Sequence, residues 1–115
     1  MSLSGMPIDD VLHYVKAENI EIKYIRAKGL LKYKGPNDYK IIIKSDDILE
    51  DQIKTCIHEI INLHPVFLFY LKLDKSEHLS IEPLIEKLAQ EAYSKRPDIV
   101  ERVRKAIEEA KKLEK

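Results

Sequence analysis

The residues with the clearest capacity for chemistry lie in the apolar segment 55–65, which contains His58, Glu59 and Asn62. Side chains four residues apart share one face of a helix, so His58 and position 62 are spaced to bind one metal ion. A complete zinc motif of this type would have a second His at position 62, where this chain has Asn62, a much poorer zinc ligand than imidazole. Glu59 would be the carboxylate that takes the proton of an attacking water. The function therefore depends on what an amide at position 62 does to the site.

A second pair of acidic side chains, Glu82 and Glu86, stands one helical turn apart. We predict that both lie on a helix over residues 81–94, which begins after an N-cap at Ser80 and accepts Pro83 in its first turn. The apolar stripe of this helix consists of Ile81, Leu84, Ile85, Leu88, Ala89 and Ala92. The two carboxylates flank that stripe, so the helix would present them beside buried surface.

The helix that carries His58 is predicted to start near a polar cap region at residues 45–47 and to run to about Leu63. Its core face consists of Leu49, Ile53, Ile57, Ile60 and Ile61. His58 and Asn62 fall on nearly the opposite side, so the core face and the metal face are separate. His64 returns to the apolar side and precedes Pro65, which indicates a helix-end or core histidine rather than a ligand.

These helices need a sheet to pack on, and the segment before them supplies one. Alternation of apolar and charged residues predicts strands over residues 19–26, 30–34 and 39–44. The short connections, with turn residues at 35–38, favour an antiparallel meander. A further helix is predicted over residues 7–18, with acidic residues in its first turn. The predicted fold class is therefore α+β.

The remaining segments have less specific patterns. Residues 66–73 are apolar and aromatic, as in a buried connection or a flap over a cleft, and residues 75–78 read as a polar loop. A last helix begins after Arg96 and carries an apolar seam of Ile99, Val103, Ala106, Ala110 and Leu113. An exposed seam of that length would associate with something. We expect the helix from Pro97 onward to cover the face of His58 or to mediate self-association; plain core packing is the third reading.

Segments 57–64 and 81–89 together resemble the minimal gluzincin metallopeptidases, namely the minigluzincins and the ImmA/IrrE-type domains. In that family a helix with the motif HExxH supplies two His ligands and the general base. A later helix, usually Glu-x-x-Ala-(Asn/Asp)-x-x-Ala, supplies the third ligand. The order of a helix, three short strands, an active-site helix and a glutamate helix is also similar, so the likeness covers the chain to about Ser94.

The resemblance implies a role for each residue of the two segments. His58 and Glu82 would be metal ligands, and Glu59 would be the catalytic base. Asn62 would occupy the position of the second His ligand. Glu86 would take the position of the polar residue that steadies the ligands. The cofactor implied by this set is zinc.

This chain departs from the family pattern at Asn62 and at Ile85, which stands where an Ala is usual. With an amide at position 62 the metal would keep two firm ligands, so we expect zinc to bind weakly or to be absent. The expected function is a zinc-dependent metallopeptidase, acting on peptide or protein substrates, with an impaired or inactivated site. The alternative is a non-catalytic module in which the cleft binds a peptide or the protein assembles with itself as a homo-oligomer.

A third class, a nucleic-acid accessory protein, would use the lysines between Lys23 and Lys44. The chain has 20 basic and 20 acidic residues and no net charge, so we expect no nucleic-acid partner. The longest apolar run is too short to span a bilayer, and a single Cys excludes an internal disulfide, so we expect a cytoplasmic protein without a membrane partner. The abundance of Lys, Glu and Ile is typical of proteins from high-temperature organisms.

At 115 residues the chain is long enough for one compact domain and too short for two. We predict a single zincin-like domain over residues 6–115, with residues 1–5 a cloning remnant before a natural start at Met6. His13 and His78 are expected at the surface. Cys56 lies nearer the apolar side of its helix and is expected to be a small buried hydrophobe.

Overall fold

The computed structural model describes residues 7–71 and 75–113, with the side chains of residues 70–79 excepted. Its architecture is α+β, as predicted, with a three-stranded sheet packed on one face against α-helices. No helix within the described ranges combines the length and the apolar character that a bilayer span requires.

The described part of the chain begins with three short 3-10 helices, Pro7–Asp10, Leu12–Tyr14 and Ala17–Asn19. The prediction of one α-helix over residues 7–18 is therefore wrong. Five side chains that pack on the core stand at every third position, Ile8, Val11, Tyr14, Ala17 and Ile20, and Leu12 and Val15 pack on it as well. A repeat of three matches the 3-10 helix, with about three residues per turn, better than it matches the α-helix.

The strands β1 (Ile20–Lys23), β2 (Gly29–Gly35) and β3 (Asp38–Lys44) form one mixed sheet. Their spatial order is β1-β3-β2, with β3 antiparallel to β2 and parallel to β1. The predicted antiparallel meander is correct for the β2–β3 hairpin. It is wrong for β1, which pairs with β3 instead of with its neighbour in sequence.

The central position of β3 follows from its composition. Ile41, Ile42 and Ile43 are all buried, and a continuous apolar run suits a strand that is covered on both faces. Residues 24–28 carry the chain from β1 past β3 to the far edge. Strands lie about 4.8 Å apart and an extended residue spans about 3.4 Å, so this connection is long enough to skip one strand.

The helix α1 (Leu49–Asn62) lies against β2 and β3 and carries the predicted core face. Ile53, Ile57, Ile60 and Ile61 are buried, which confirms the sequence-based assignment of that face. Asn62 is buried as well, so the prediction that it lies on a face separate from the core is wrong. The buried side chain of Gln52 donates from Nε2 to the backbone oxygen of Lys44 at 3.0 Å. This hydrogen bond ties the first turn of α1 to the end of β3.

The helix α2 (Pro65–Leu71) lies in the segment for which a connection or a flap was predicted. The next helix, α3 (Lys75–Lys95), begins earlier than predicted, so the polar loop over residues 75–78 is wrong and Ser80 is not an N-cap. Polar residues of these types are as compatible with a helix as with a loop. Composition alone therefore placed the start of α3 too late.

The last helix, α4 (Pro97–Leu113), packs on α1, α3 and β1. Its buried residues are Ile99, Val103, Ile107 and Ala110. Ile107 takes the place that the prediction gave to Ala106, which is half-buried, and Leu113 is exposed. Arg96 joins this end of the chain to the beginning, because its guanidinium donates two hydrogen bonds, of 2.9 and 2.8 Å, to the carboxylate of Asp9.

Candidate functional site

The imidazole of His58 lies between two carboxylates of α3. Its Nε2 is 3.0 Å from Oε2 of Glu82, and its Nδ1 is 3.0 Å from Oε2 of Glu86. The two glutamates are four residues apart on α3, so they face α1 from the same side of the helix. The side chain of Glu82 is 33% exposed and that of Glu86 is 58% exposed, so the deeper carboxylate faces Nε2. The structure thus brings three of the predicted site residues together.

A second contact on Glu86 orders this arrangement. Its Oε1 accepts a hydrogen bond from the Gln90 side chain at 3.2 Å, while Oε2 faces His58. A carboxylate that is held at both oxygens restricts the ring that it contacts. This is the position in which an outer carboxylate orients a metal-binding imidazole in known metal sites.

Asn62 and Glu59 form the other half of the site. Asn62 is 2% exposed, and its Nδ2 is 3.3 Å from Oε1 of Glu59 and 3.4 Å from the backbone oxygen of His58. Its Oδ1 is buried and has no hydrogen-bond partner among the described residues. Asn62 therefore contacts the predicted base directly through its amide NH2 group. That group carries two N–H donors, whereas a neutral imidazole carries one.

The environment of Glu59 favours its protonated form. Burial raises the pKa of its carboxyl group, and the nearby charge of Glu82 raises it further. The charge of His58 and the hydrogen bond from Asn62 lower the pKa, but burial is the largest contribution. A carboxyl group with a raised pKa beside a cleft is suited to accept and return a proton.

A cleft of about 290 Å³ opens beside these residues. Its lining comes from the start of β2, from one face of α1 and from α3. The lining residues are Lys28, Gly29, Asp51, Lys54, Thr55, His58, Glu59, Glu82 and Glu86. The last four were predicted from the sequence as site residues, and the others were not. Asp51, Thr55 and His58 recur at spacings of three and four, so projection of the helical face beyond His58 would have found the α1 residues.

Gly29 is the least expected member of this set. A Cβ atom at position 29 would lie 2.4 Å from Cγ2 of Thr55 and 3.3 Å from Oε2 of Glu59. No glycine among the described residues has a positive φ, so close approach to α1 rather than backbone conformation requires glycine here. Gly29, the first residue of β2, therefore lies close to two residues of α1, Thr55 and the predicted base Glu59.

His13, His64 and Cys56 lie outside the cleft lining. Nδ1 of His64 accepts a hydrogen bond from the backbone N–H of Val66 at 3.2 Å, and its Nε2 is 3.2 Å from Asp10. His64 thus stands at the start of α2, in the helix-end position expected for it. Burial raises the pKa of the Cys56 thiol to about 12, which suits a buried hydrophobe. His13 is exposed, as expected, and the side chain of His78 lies outside the described part.

The donor set fits a zinc site in part. Two ligands of one tetrahedral zinc ion lie roughly 3.4 Å apart, given bond lengths of about 2.1 Å. The 3.0 Å between His58 Nε2 and Glu82 Oε2 is close to this separation. The third ligand is the weak point, since position 62 supplies an amide. Within residues 7–71 and 75–113, no group of three His, Cys, Asp or Glu side chains is arranged to hold a metal ion.

Comparison with known proteins adds no relative: no family model, no curated protein and no solved structure matches this chain.

Proposed function

We propose that this chain is a metallopeptidase-like protein of the minimal gluzincin type, with a metal site that Asn62 impairs. One observation carries the proposal: His58 lies between Glu82 and Glu86, with each ring nitrogen 3.0 Å from a carboxylate oxygen. This contact joins α1 to α3. In the sequence, the likeness to the family rested on the same two segments, the one around His58 and the one that contains Glu82 and Glu86.

In the proposed site, each residue has a distinct task. His58 and Glu82 would hold a zinc ion, and Glu86 keeps the imidazole oriented through Nδ1. When bound, zinc acts as a Lewis acid that polarises a peptide carbonyl and acidifies water. Glu59 would accept the proton of the attacking water and pass it to the leaving amine, for which its raised pKa is suitable.

Asn62 weakens this site in two ways. Its amide is a poorer zinc ligand than imidazole, and loss of even an outer partner of a ligand costs about ten- to a hundredfold in metal affinity. Its Nδ2 also lies 3.3 Å from Oε1 of Glu59, so the base is engaged by a side chain of the same helix. We therefore propose that the protein as it stands binds zinc weakly and has low peptidase activity.

The second candidate function is a non-catalytic module that binds a peptide or a partner copy in the cleft. It is favoured because polar atoms of the site already have partners within the chain. Both ring nitrogens of His58 and one carboxylate oxygen of Glu59 contact protein groups. Such a network could hold α1 against α3 without taking part in catalysis. The two functions differ in whether metal binding can be restored.

The experiment that separates them is the variant Asn62→His. Elemental analysis after dialysis with zinc should find about stoichiometric zinc in Asn62→His and far less in the unaltered chain, in line with a loss of at least ten- to a hundredfold in affinity. The control variant Asn62→His with Glu82→Gln keeps the new imidazole and should lose the zinc again. If Asn62→His gains no zinc, His58 and position 62 do not form a metal face and the proposal fails.

Peptidase activity gives an independent readout. Any cleavage of a casein or peptide substrate by Asn62→His should disappear on chelation, and in the further variant Glu59→Gln, which should still retain zinc. Cleavage that survives both treatments would exclude a mechanism based on Glu59 and a metal ion. Zinc binding without cleavage would favour the non-catalytic module.

A further inference from the structure

The charges of this chain are segregated although they sum to zero. On β3, Ile41 and Ile43 face the core cluster on the side of α1, so residues 40, 42 and 44 point to the opposite face of the sheet. The side chains of that opposite face include Lys23, Lys40 and Lys44, Lys32 in register with Lys40, and Lys34, which alternates with Lys32 on the exposed side of β2. We call this surface the lysine face.

The lysines meet each other directly across the strands. Lys32 is the register partner of Lys40, and Lys23 is the register partner of Lys44. Like charges directly opposite each other destabilise a sheet. A folded protein tolerates such pairs most easily where an anionic partner compensates them.

Few carboxylates lie on the lysine face to neutralise it. Oε2 of Glu21 is 2.8 Å from Nζ of Lys23, and Oε1 of Glu21 is 4.0 Å from Nζ of Lys40. The hydrogen bond from Lys23, together with the charges of Lys40 and Lys32, lowers the pKa of Glu21. Asp38, at the start of β3, is the other carboxylate at a matching register position. Among the described residues, five lysines against two carboxylates leave a positive excess on this surface.

The shape of the lysine face argues against a membrane partner. Ile42 is 3% exposed and does not belong to the core cluster, so neighbours on its own face cover it. Long lysine stems are suited to such cover, since they bury their methylene groups and keep the charge in water. Leu30, beside Ile42, is 43% exposed. A single half-exposed leucine offers little apolar area for insertion into a bilayer.

Protein partners fit this surface poorly as well, because lysine is depleted at protein–protein interfaces. Phosphate groups, in contrast, are bound by lysine without demanding geometry. At one end of the lysine face, Tyr24 is 82% exposed and lies in sequence between Lys23 and Arg26. An exposed aromatic ring beside basic side chains is the arrangement on which a base of a single strand stacks.

We propose that the lysine face binds the phosphate backbone of single-stranded nucleic acid, with Tyr24 as a stacking platform for a base. The proposal is independent of the metal site, since Lys32, Lys34 and Tyr24 do not line the cleft. The binding is expected to be electrostatic and without strong sequence preference. The net charge of zero does not reveal a nucleic-acid partner of this kind, because the lysines of one surface are balanced by acidic residues elsewhere in the chain.

Fluorescence anisotropy with a labelled oligothymidylate, over a series of salt concentrations, tests the proposal. The unaltered chain should bind at low salt, and log K should fall linearly with log salt concentration. In the double variant Lys32→Gln/Lys34→Gln, the steepness of that fall should decrease by about 0.7 for each lysine removed. The matched control Lys105→Gln/Lys111→Gln removes two exposed lysines of α4 and should leave both affinity and slope unchanged.

The variant Tyr24→Ala tests the stacking contribution separately. It should lower affinity about fivefold or more at constant slope, because stacking does not release counterions. Three results would overturn the proposal: no binding at low salt, an equal effect of the α4 control pair, or tighter binding to vesicles of anionic phospholipid than to the oligonucleotide. The first result would mean that the protein does not bind single-stranded nucleic acid, and the second that binding does not depend on the lysine face. The third would mean that the lysine face binds a membrane surface instead.

Discussion

At the scale of single residues, the proposed metal site depends on the difference between an amide and an imidazole at position 62. Asn62 is buried, and its Nδ2 lies within hydrogen-bonding distance of Glu59 and of the backbone of His58. Its carbonyl oxygen has no partner among the described residues. A buried polar atom without a partner costs about 1–3 kcal/mol. Asn62→His should therefore not destabilise the fold through loss of a hydrogen bond to Oδ1.

Gly29 gives the first residue-scale prediction. The variant Gly29→Ala should lower the free energy of unfolding by about 1–3 kcal/mol, as expected for overpacking. The reason is that the added Cβ would lie 2.4 Å from Cγ2 of Thr55. Urea denaturation measures the change. Gly35→Ala is the matched control on the same strand, because a Cβ at position 35 meets nothing within 4 Å.

A double variant identifies the cause of the effect. Thr55→Ser removes Cγ2, the atom that the new Cβ would strike, so Gly29→Ala/Thr55→Ser should recover most of the lost stability. If Thr55→Ser gives no recovery, the contact between β2 and α1 is not what requires glycine at position 29.

At the scale of elements, side chains of β3 and of the α3–α4 junction attach the N-terminal 3-10 segment to the rest of the fold. The hydroxyl of Tyr39, on β3, donates a hydrogen bond of 2.8 Å to the backbone oxygen of Tyr14. The two rings also meet edge to face, with centroids 5.2 Å apart. At the other end of this segment, Arg96 holds Asp9, which raises the pKa of the guanidinium. A segment of short 3-10 turns has little stability of its own and depends on such contacts.

Tyr39 gives the element-scale prediction, which has a pH dependence. Burial raises the pKa of its hydroxyl above the ordinary value of 10.0. Below pH 10 both states keep the proton; above it the unfolded state ionises while the folded state does not, so folding stability falls as pH rises. Tyr39→Phe should cost about 1 kcal/mol at neutral pH and should flatten the alkaline loss.

Thermal denaturation between neutral pH and pH 11 measures both effects of the Tyr39 variant. Tyr33→Phe serves as the control, because Tyr33 is the register partner of Tyr39 on β2 but is only half-buried. An equal change in both variants would mean that the hydrogen bond to Tyr14 contributes nothing to the attachment of the N-terminal segment.

At the scale of the whole molecule, α4 completes the core. Ile99, Val103 and Ile107 are buried against α1, α3 and β1, so the apolar seam has a partner within the chain. No residue of α4 belongs to the cleft lining. The expectation that this helix covers His58 or mediates self-association stays a prediction, which light scattering and a chain ending at Arg96 would test. Core packing accounts for the buried seam by itself.

Two substitutions on α4 test its contribution to the core. Ile107→Ala should destabilise the protein by about 2–5 kcal/mol, since it empties a fully buried site. Leu113→Ala removes a comparable side chain that is 60% exposed and should change stability by less than about 0.5 kcal/mol. Urea midpoints of the two variants give the comparison. Similar small effects would show that α4 is dispensable for the core.

The sequence by itself determined the features that depend on neighbours within one or two helical turns. The periodicity of α1 separated the core face from the face of His58, and the spacing of Glu82 and Glu86 put both on one side of their helix. The apolar stripe of α4 was found with two positions misassigned: Ala106 was given the place of Ile107, and Leu113 is exposed. Each of these patterns consists of residues three or four positions apart. A helix places such residues on one face independently of its tertiary contacts.

Only the tertiary structure decided the features that join distant parts of the chain. The insertion of β3 between β1 and β2, the approach of Gly29 to Thr55, and the lysine face all depend on which strands pair and in which register. Local alternation tells which residues share a face of one strand but not which strand lies beside it. That choice is made by burial of Ile41, Ile42 and Ile43 in the centre of the sheet, a free energy that belongs to the whole fold rather than to any one segment.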